Sequence, residues 1–297
     1  MKILTSNITN LFQDKGRSWL DNIQNIVSNL ASIWCLSDIQ PVSNMTFNYV
    51  FKAIRNNKEN VVVKFSCDEN LTRDEIKALD HLAGSGTVKL LDHNEQYHAL
   101  LLEQAIPGRT LKEFRNDNLD LAMKYYIDVM HNLHNRPCPD LTLFPEIKKW
   151  PKAFDRVDES KMPDGLLHKA RSLAQELVAT QKHKILLHGD LHLDNILQNG
   201  NDWLAIDPKG IIGEAEFEIA AFDFIADFEL DSNNNLAKLY HDRLEKIASK
   251  SGLNLYRIKG WCTVRLALAI AWSLEDNTDP SKWVKLYDAF SHSDNIT

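Results

Sequence analysis

His188-Gly189-Asp190-Leu191-His192-Leu193-Asp194-Asn195, then Ile196-Leu197-Gln198, a polar turn at 199–202 and Trp203-Leu204-Ala205-Ile206-Asp207, decides how this chain is read. It is a loop followed by a tight hairpin, because two short apolar runs flank a turn built of Asn, Gly and Asp. The hairpin returns Asp207 toward Asn195, and Asp190 stands five residues ahead of Asn195. An amide oxygen and a carboxylate at a hairpin mouth are the hard oxygen ligands that magnesium prefers. A further carboxylate beside them can accept a proton from a hydroxyl or orient it. Taken singly, Asp190 and Asn195 read as turn caps and Asp207 as a strand end; the three together at this spacing point to a site. His188 and His192 would share a helix face and offer a zinc pair, as in His-Glu-x-x-His. Gly189 argues for a loop instead, and no glutamate follows the first histidine, so His188 is expected to brace the loop.

Toward the N-terminus, apolar residues at Trp19, Leu20, Ile23, Ile26, Val27, Leu30, Ile33 and Trp34 recur at helical spacing and predict an amphipathic helix over 16–36. Tyr49-Val50-Phe51 and Val61-Val62-Val63-Lys64-Phe65 predict an antiparallel hairpin around the turn 55–60. A helix over 71–82 follows, closed by Gly84 and Gly86, then short strands at 88–91 and 98–102 and a break at Pro107-Gly108. Lys64 is the one charge in its strand. A lysine in an apolar strand is costly unless paired, and Glu75 on the next helix is the partner offered; the alternative is an edge lysine facing solvent. The run Leu100-Leu101-Leu102-Glu103-Gln104-Ala105-Ile106-Pro107-Gly108 reads as a strand running into a hinge, with backbone groups near Glu103 and Ala105 exposed to pair with an adenine edge. Everything after the break is helical by periodicity, around 121–133, 166–177, 236–248 and 258–274, except the island at 185–207. The expected architecture is α+β and bilobal: residues 1–105 form a small β-rich lobe with a leading helix and a nucleotide-binding sheet, and 106–297 a larger helical lobe with the catalytic loop and substrate site.

Acidic residues number 41 and basic ones 34, a formal net charge of −7. Nucleic-acid binders carry a basic surplus, so a phosphate-backbone partner is disfavoured. The longest apolar stretch near the C-terminus, 261–272, contains Arg265 and is far shorter than a bilayer requires, so no membrane partner is expected. Cys35, Cys67, Cys138 and Cys262 form no Cys-x-x-Cys pair, and are expected to be buried free thiols in a reducing, cytoplasmic setting. No secretory signal is visible in residues 1–15.

Together these residues resemble the aminoglycoside and hydroxyurea phosphotransferases of the streptomycin 6-kinase type. The likeness runs from Gly16-Arg17-Ser18-Trp19-Leu20 and Trp34-Cys35-Leu36, through Gly84-Ser85-Gly86-Thr87-Val88-Lys89-Leu90-Leu91 and Leu100-Leu101-Leu102-Glu103 with Pro107-Gly108. It continues in Leu187-His188-Gly189-Asp190-Leu191-His192, in Asp207-Pro208-Lys209-Gly210 and in Ala271-Trp272-Ser273-Leu274-Glu275-Asp276. It implies a protein-kinase-like fold, ATP (or GTP) with Mg2+, and O-phosphorylation of a small molecule such as streptomycin or hydroxyurea, with antibiotic resistance as the outcome. His-x-Asp-x-x-x-x-Asn followed by Ile-Asp matches that fold's catalytic loop and metal aspartate. The resemblance thus implies Asp190 as base, Asn195 and Asp207 as metal ligands, and Lys64 braced by Glu75 on the nucleotide phosphates. No glycine occurs between Arg17 and Ala83, so the phosphate-covering loop around 43–48 would work with Ser43, Asn44 and Thr46. Asp207-Pro208-Lys209 stands where protein kinases have Asp-Phe-Gly, and no Ala-Pro-Glu follows, which fits a small-molecule kinase. Two other readings are a housekeeping metabolite kinase and a pseudokinase.

Between Glu214 and Asp231 there are seven acidic residues and no lysine or arginine. Phe217, Phe224 and Phe228 are expected to face the core at helical spacing, with Glu216, Asp223 and Asp227 on the opposite face as a wall for a cationic ligand; the alternative is an ordinary solvated helix face. The expected partner is a small-molecule hydroxyl substrate, a cationic one included, bound by a monomer or weak dimer.

Overall fold

The computed structural model describes residues 1–137, 140–221, 223–232 and 235–293. They divide into two units: 1–108 with 198–206, and 109–197 with 207–297.

In the first unit, α1 (Lys2–Asp21) and α2 (Ile23–Ile33) precede β1 (Leu36–Pro41), β2 (Asn48–Arg55), β3 (Glu59–Ser66), α3 (Glu69–Leu82), β4 (Leu90–Asn94) and β5 (Ala99–Glu103). The strands make one antiparallel sheet in the order β1-β2-β3-β5-β4. Alternation along β3 sets its two faces. Val61, Val63 and Phe65 bury into a core with Tyr49, Phe51, Ala99 and Leu101, capped by Leu4, Ile8, Ile26 and Leu30 from α1 and α2. Lys64 points to the opposite face, where α3 packs. Asp68 caps α3 by accepting from the Asn70 N–H at 2.9 Å. The helix ends on left-handed Ala83, not on Gly84 as expected.

The leading helix begins at Lys2, earlier than its apolar stripe predicts, and turns a corner at Asn22. Gln13, at φ 48°, kinks α1. Pro107–Thr110, predicted as a break, forms β6.

In the second unit, α4 (Leu111–Arg115), α5 (Leu119–His134) and α6 (Leu166–Ala179) lead to β7 (Ile185–Leu187). The hairpin follows as β8 (Ile196–Asn199) and β9 (Asp202–Ala205); the chain passes into the first unit within β8 and returns at Asp207. Then come β10 (Ile211–Gly213), α7 (Glu216–Ile219), α8 (Asp227–Ser232), α9 (Leu236–Ser251), α10 (Leu255–Glu275) and α11 (Ser281–Ser293). β10 pairs antiparallel with β7, Ile211 opposite Leu187. α10 is the central helix, and its weak amphipathicity follows from burial of Ile258, Trp261, Val264, Ala267, Leu268 and Ala271 around most of its girth. Gly260 lets α6 approach it closely: a Cβ there would stand 2.9 Å from Leu177 Cδ1.

The acidic stretch after β10 is not one helix. α7 and α8 are short and separate, so Glu216, Asp223 and Asp227 share no helix face. Phe217 and Phe224 are buried as expected, whereas Phe228 is 65% exposed. Cys67 and Cys262 are buried free thiols, Cys35 is exposed, and Cys138 lies outside the described residues. Among the described residues, no helix is long and apolar enough to cross a membrane.

Candidate active site

The loop 188–195 is held at its neck and from beneath. The Lys209 N–H donates to the His188 carbonyl at 2.8 Å, which continues the β7–β10 pairing one step outward. Gly189 sits at φ +84°, and a Cβ there would meet Ile211 Cγ1 at 2.8 Å, so both conformation and space call for glycine. Buried Glu218 accepts from the His188 N–H at 2.7 Å, the Gly189 N–H at 2.8 Å and His134 Nε2 at 3.3 Å. His188 Nδ1 accepts from the Asp190 N–H at 3.2 Å, so this buried histidine braces the loop, as its place beside Gly189 suggested.

Asp190 and Asn195 are drawn together. The Asn195 amide nitrogen donates to the Asp190 carbonyl at 3.0 Å, and its backbone N–H to the His192 carbonyl at 2.9 Å. With its nitrogen so engaged, the Asn195 amide oxygen makes no hydrogen bond among the described residues. Asp207 adopts φ 62°, a left-handed conformation that aspartate tolerates better than most side chains. An amide oxygen and a carboxylate are a hard donor set that suits magnesium.

The Asp190 side chain opens into a cleft of about 420 Å³ in the second unit, also lined by Lys112, His192, Asp223, Arg265 and Trp272. Arg265 Nη2 donates to Asp190 Oδ1 at 2.5 Å. Burial pushes the Asp190 carboxyl upward, but the Arg265 charge, helped by His192, Lys209 and His188, holds it below its usual range. Asp190 is therefore ionised at neutral pH. Burial raises Asp223, against the pull of Lys112 and Arg115. His192, Asp194 and Asp223 place ligand atoms within 4.8 Å of one another, yet Lys112 already sits on Asp194 at 2.7 Å. Asp223 lines the cleft; Glu216 and Asp227 do not. Asp227 is paired with Lys282 at 2.8 Å, and Glu216 accepts from the Asn254 N–H at 3.4 Å.

In the first unit, Lys64 Nζ lies 2.7 Å from Glu75 Oε2, with the two side chains 8% and 9% exposed. The strand lysine and helix glutamate chosen from the sequence are thus a buried ion pair. Ser43 and Thr46 are exposed on the turn joining β1 to β2, whose shape is set by buried Met45 and by Asn7 Nδ2 donating to the Thr46 carbonyl at 3.1 Å. The Glu103 N–H is committed to the Lys89 carbonyl at 2.9 Å, and Ala105 is buried. The Ala105 N–H nevertheless makes no hydrogen bond among the described residues.

Sequence reasoning did not find Arg265 or Glu218. Each meets the loop from 75 and 29 residues away, a separation that no local motif encodes.

Three comparisons bear on what this arrangement belongs to. A streptomycin 6-kinase of Streptomyces griseus is 26% identical over 270 residues, 89% of this chain and 87% of its own length. Choline kinase LicA from Streptococcus pneumoniae superposes with a TM-score of 0.65 at 13% identity, covering 91% of this chain and 99% of that one. A thermostable mutant of aminoglycoside phosphotransferase APH(4)-Ia, solved with ADP and hygromycin B, gives 0.60 at 15% identity over 91% of this chain and 96% of that one. Those structures share the kinase-like fold. The family described as aminoglycoside/hydroxyurea antibiotic resistance kinase matches residues 34–277, and this chain belongs to it.

Proposed function

We propose that this chain transfers the γ-phosphoryl group of ATP to a hydroxyl of a small molecule seated in the Asp190 cleft. The observation that carries this reading is the ionised Asp190 carboxylate opening into that cleft, on the same loop as the unengaged Asn195 amide oxygen. Asp190 orients the acceptor hydroxyl and takes its proton as the new O–P bond forms and the bond to the β-phosphate oxygen breaks, releasing ADP. Asn195 and Asp207 would hold magnesium, which supplies charge neutralisation for the phosphates. Lys64, fixed by Glu75, contributes a cation for the nucleotide phosphates; Ser43 and Thr46 cover them, and the free Ala105 N–H binds the base edge. Residues 1–105 would serve the nucleotide and 106–297 the acceptor. Catalysis rests on positioning and electrostatics.

A streptomycin-type aminoglycoside or hydroxyurea is the first acceptor to test, with resistance in a cytoplasm that contains the enzyme as the outcome. A housekeeping metabolite kinase is the second reading. It is favoured by the pairing of Asp223 and Asp227 with Arg115 and Lys282, which leaves the acidic stretch a poor trap for polycations, and by Lys112 on Asp194 at the cleft. ATP consumption screened against aminoglycosides, hydroxyurea and common hydroxylated metabolites, with the product identified by its added phosphate mass, separates the two. Asp190→Ala should lower kcat by about 10²–10⁴-fold on whichever acceptor responds; near wild-type turnover would end this mechanism. Unchanged streptomycin sensitivity in a susceptible host expressing the protein, with no phosphorylated drug, would remove the resistance role.

A further inference from the structure

We infer that Arg265 is a positioning residue for Asp190: an aromatic cage fixes its guanidinium, and the guanidinium fixes the carboxylate. The inference rests on the phosphotransfer reading above and adds to it. Arg265 projects from the middle of α10, 15% exposed, with Nη2 on Asp190 Oδ1. Three rings surround its guanidinium carbon: Trp150 at 4.9 Å, Trp272 at 5.5 Å and Phe217 at 5.9 Å. They come from the 3₁₀ segment Ile147–Arg156, from α10 itself and from α7. Trp150 also packs edge-on against both Phe217 and Trp272, so the cage is braced ring to ring.

A planar, weakly hydrated guanidinium suits such an enclosure, whereas a compact ammonium would lose both the stacking and the fork geometry. The cage sets the cation's position without help from Asp190, so the direction of control runs from Arg265 to the carboxylate. Pinning Oδ1 leaves Oδ2, which has no hydrogen-bond partner among the described residues, as the oxygen that meets the acceptor hydroxyl. A carboxylate free to rotate would present either oxygen and lose alignment with the hydroxyl. Misplacement of a reacting group by about 1 Å costs on the order of 10²-fold in rate.

Kinetics on an acceptor found in the screen tests this. Arg265→Ala should lose on the order of 10² in kcat while KM for ATP stays put. Guanidinium chloride at tens of millimolar should refill the cage and restore at least tenfold of that loss, where equal sodium chloride or urea restores none. Arg265→Lys should remain within a few fold of the alanine variant. Unchanged kcat, or a folded Arg265→Ala that guanidinium does not rescue, overturns the inference. Should that variant not fold, Trp150→Leu opens the cage without touching the cleft; it should lower kcat with both KM values unchanged, and an unchanged kcat counts against the proposal. A double-mutant cycle in urea with Asp190→Asn and Arg265→Gln needs no acceptor: non-additive shifts in the unfolding midpoint support the coupling and additive ones refute it. If the wild type phosphorylates nothing, the function reading fails, and this cycle still decides whether Arg265 holds Asp190.

Discussion

Glu218 is the residue on which the shape of the loop most depends. It is fully desolvated, yet it accepts from two backbone N–H groups and lies against His134. Burial pushes its carboxyl upward; the His134 hydrogen bond and charge, then His188 and the Gly189 N–H, hold it below its ordinary value. A depressed folded value means the stabilisation is complete above the unfolded value of about 4.3 and is lost as pH falls through the depressed one. Urea midpoints measured between pH 7 and pH 3 should therefore fall on the acid side. Glu218→Gln should flatten that part of the profile. Glu218→Ala should cost about 3 kcal/mol at pH 7, because it strands two buried donors; a loss under about 0.5 kcal/mol would show the loop held by other means. The closeness of Asp190 and Asn195 is legible in the sequence because one loop encodes it locally. Glu218 is not: it reads as one more acid in an acidic stretch, and only folding brings it under the loop.

At the scale of elements, β3 and α3 were legible because their chemistry is paired across a short connection. A lysine in a Val-rich strand requires a counter-charge, and the next helix supplies it at 2.7 Å. Lys64→Met should destabilise by about 3–5 kcal/mol in denaturant unfolding, since it leaves Glu75 buried without its cation. Pairing it with Glu75→Leu should recover most of that loss while leaving nucleotide binding impaired. A double variant as unstable as the single would mean the lysine's aliphatic packing, not its charge, is what β3 needs. β1 was not legible. Its Leu-Ser-Asp-Ile-Gln-Pro run is polar and ends in proline, its register shifts between Ser37 and Gln40, and Asp38 has φ 57°. Those are marks of a bulged edge strand that alternation cannot reveal. The first half of α1 was hidden for a related reason: few apolar residues mark its buried side, where Leu4 and Ile8 suffice to seat it.

For the molecule as a whole, charge is the property that sequence order misrepresents most. From 214 to 231 the chain holds acids and no bases, which suggests a negative wall. Folding delivers five cations to it from four other helices, Arg257 to Glu214, Arg243 to Glu229, Arg115 to Asp223, Lys282 to Asp227 and Lys285 to Asp231, and at the cleft Lys112 sits on Asp194. Each pair lies within 4 Å, so the field they leave is short-ranged. Salt weakens attraction between separated charges, with a screening length near 10 Å at 0.1 M. A cleft in which Asp190, Asp194 and Asp223 are each paired, leaving Asp276 as the carboxylate without an ion pair among its described lining, offers little for salt to screen. KM for a cationic acceptor or competitive inhibitor should accordingly rise by no more than about twofold between 0.05 and 0.5 M sodium chloride. Lys112→Met, which frees Asp194 at the cleft wall, should steepen that dependence and lower KM for the cation at low salt. A wild-type KM that climbs by an order of magnitude with salt would restore the acidic wall and, with it, the preference for polycationic acceptors.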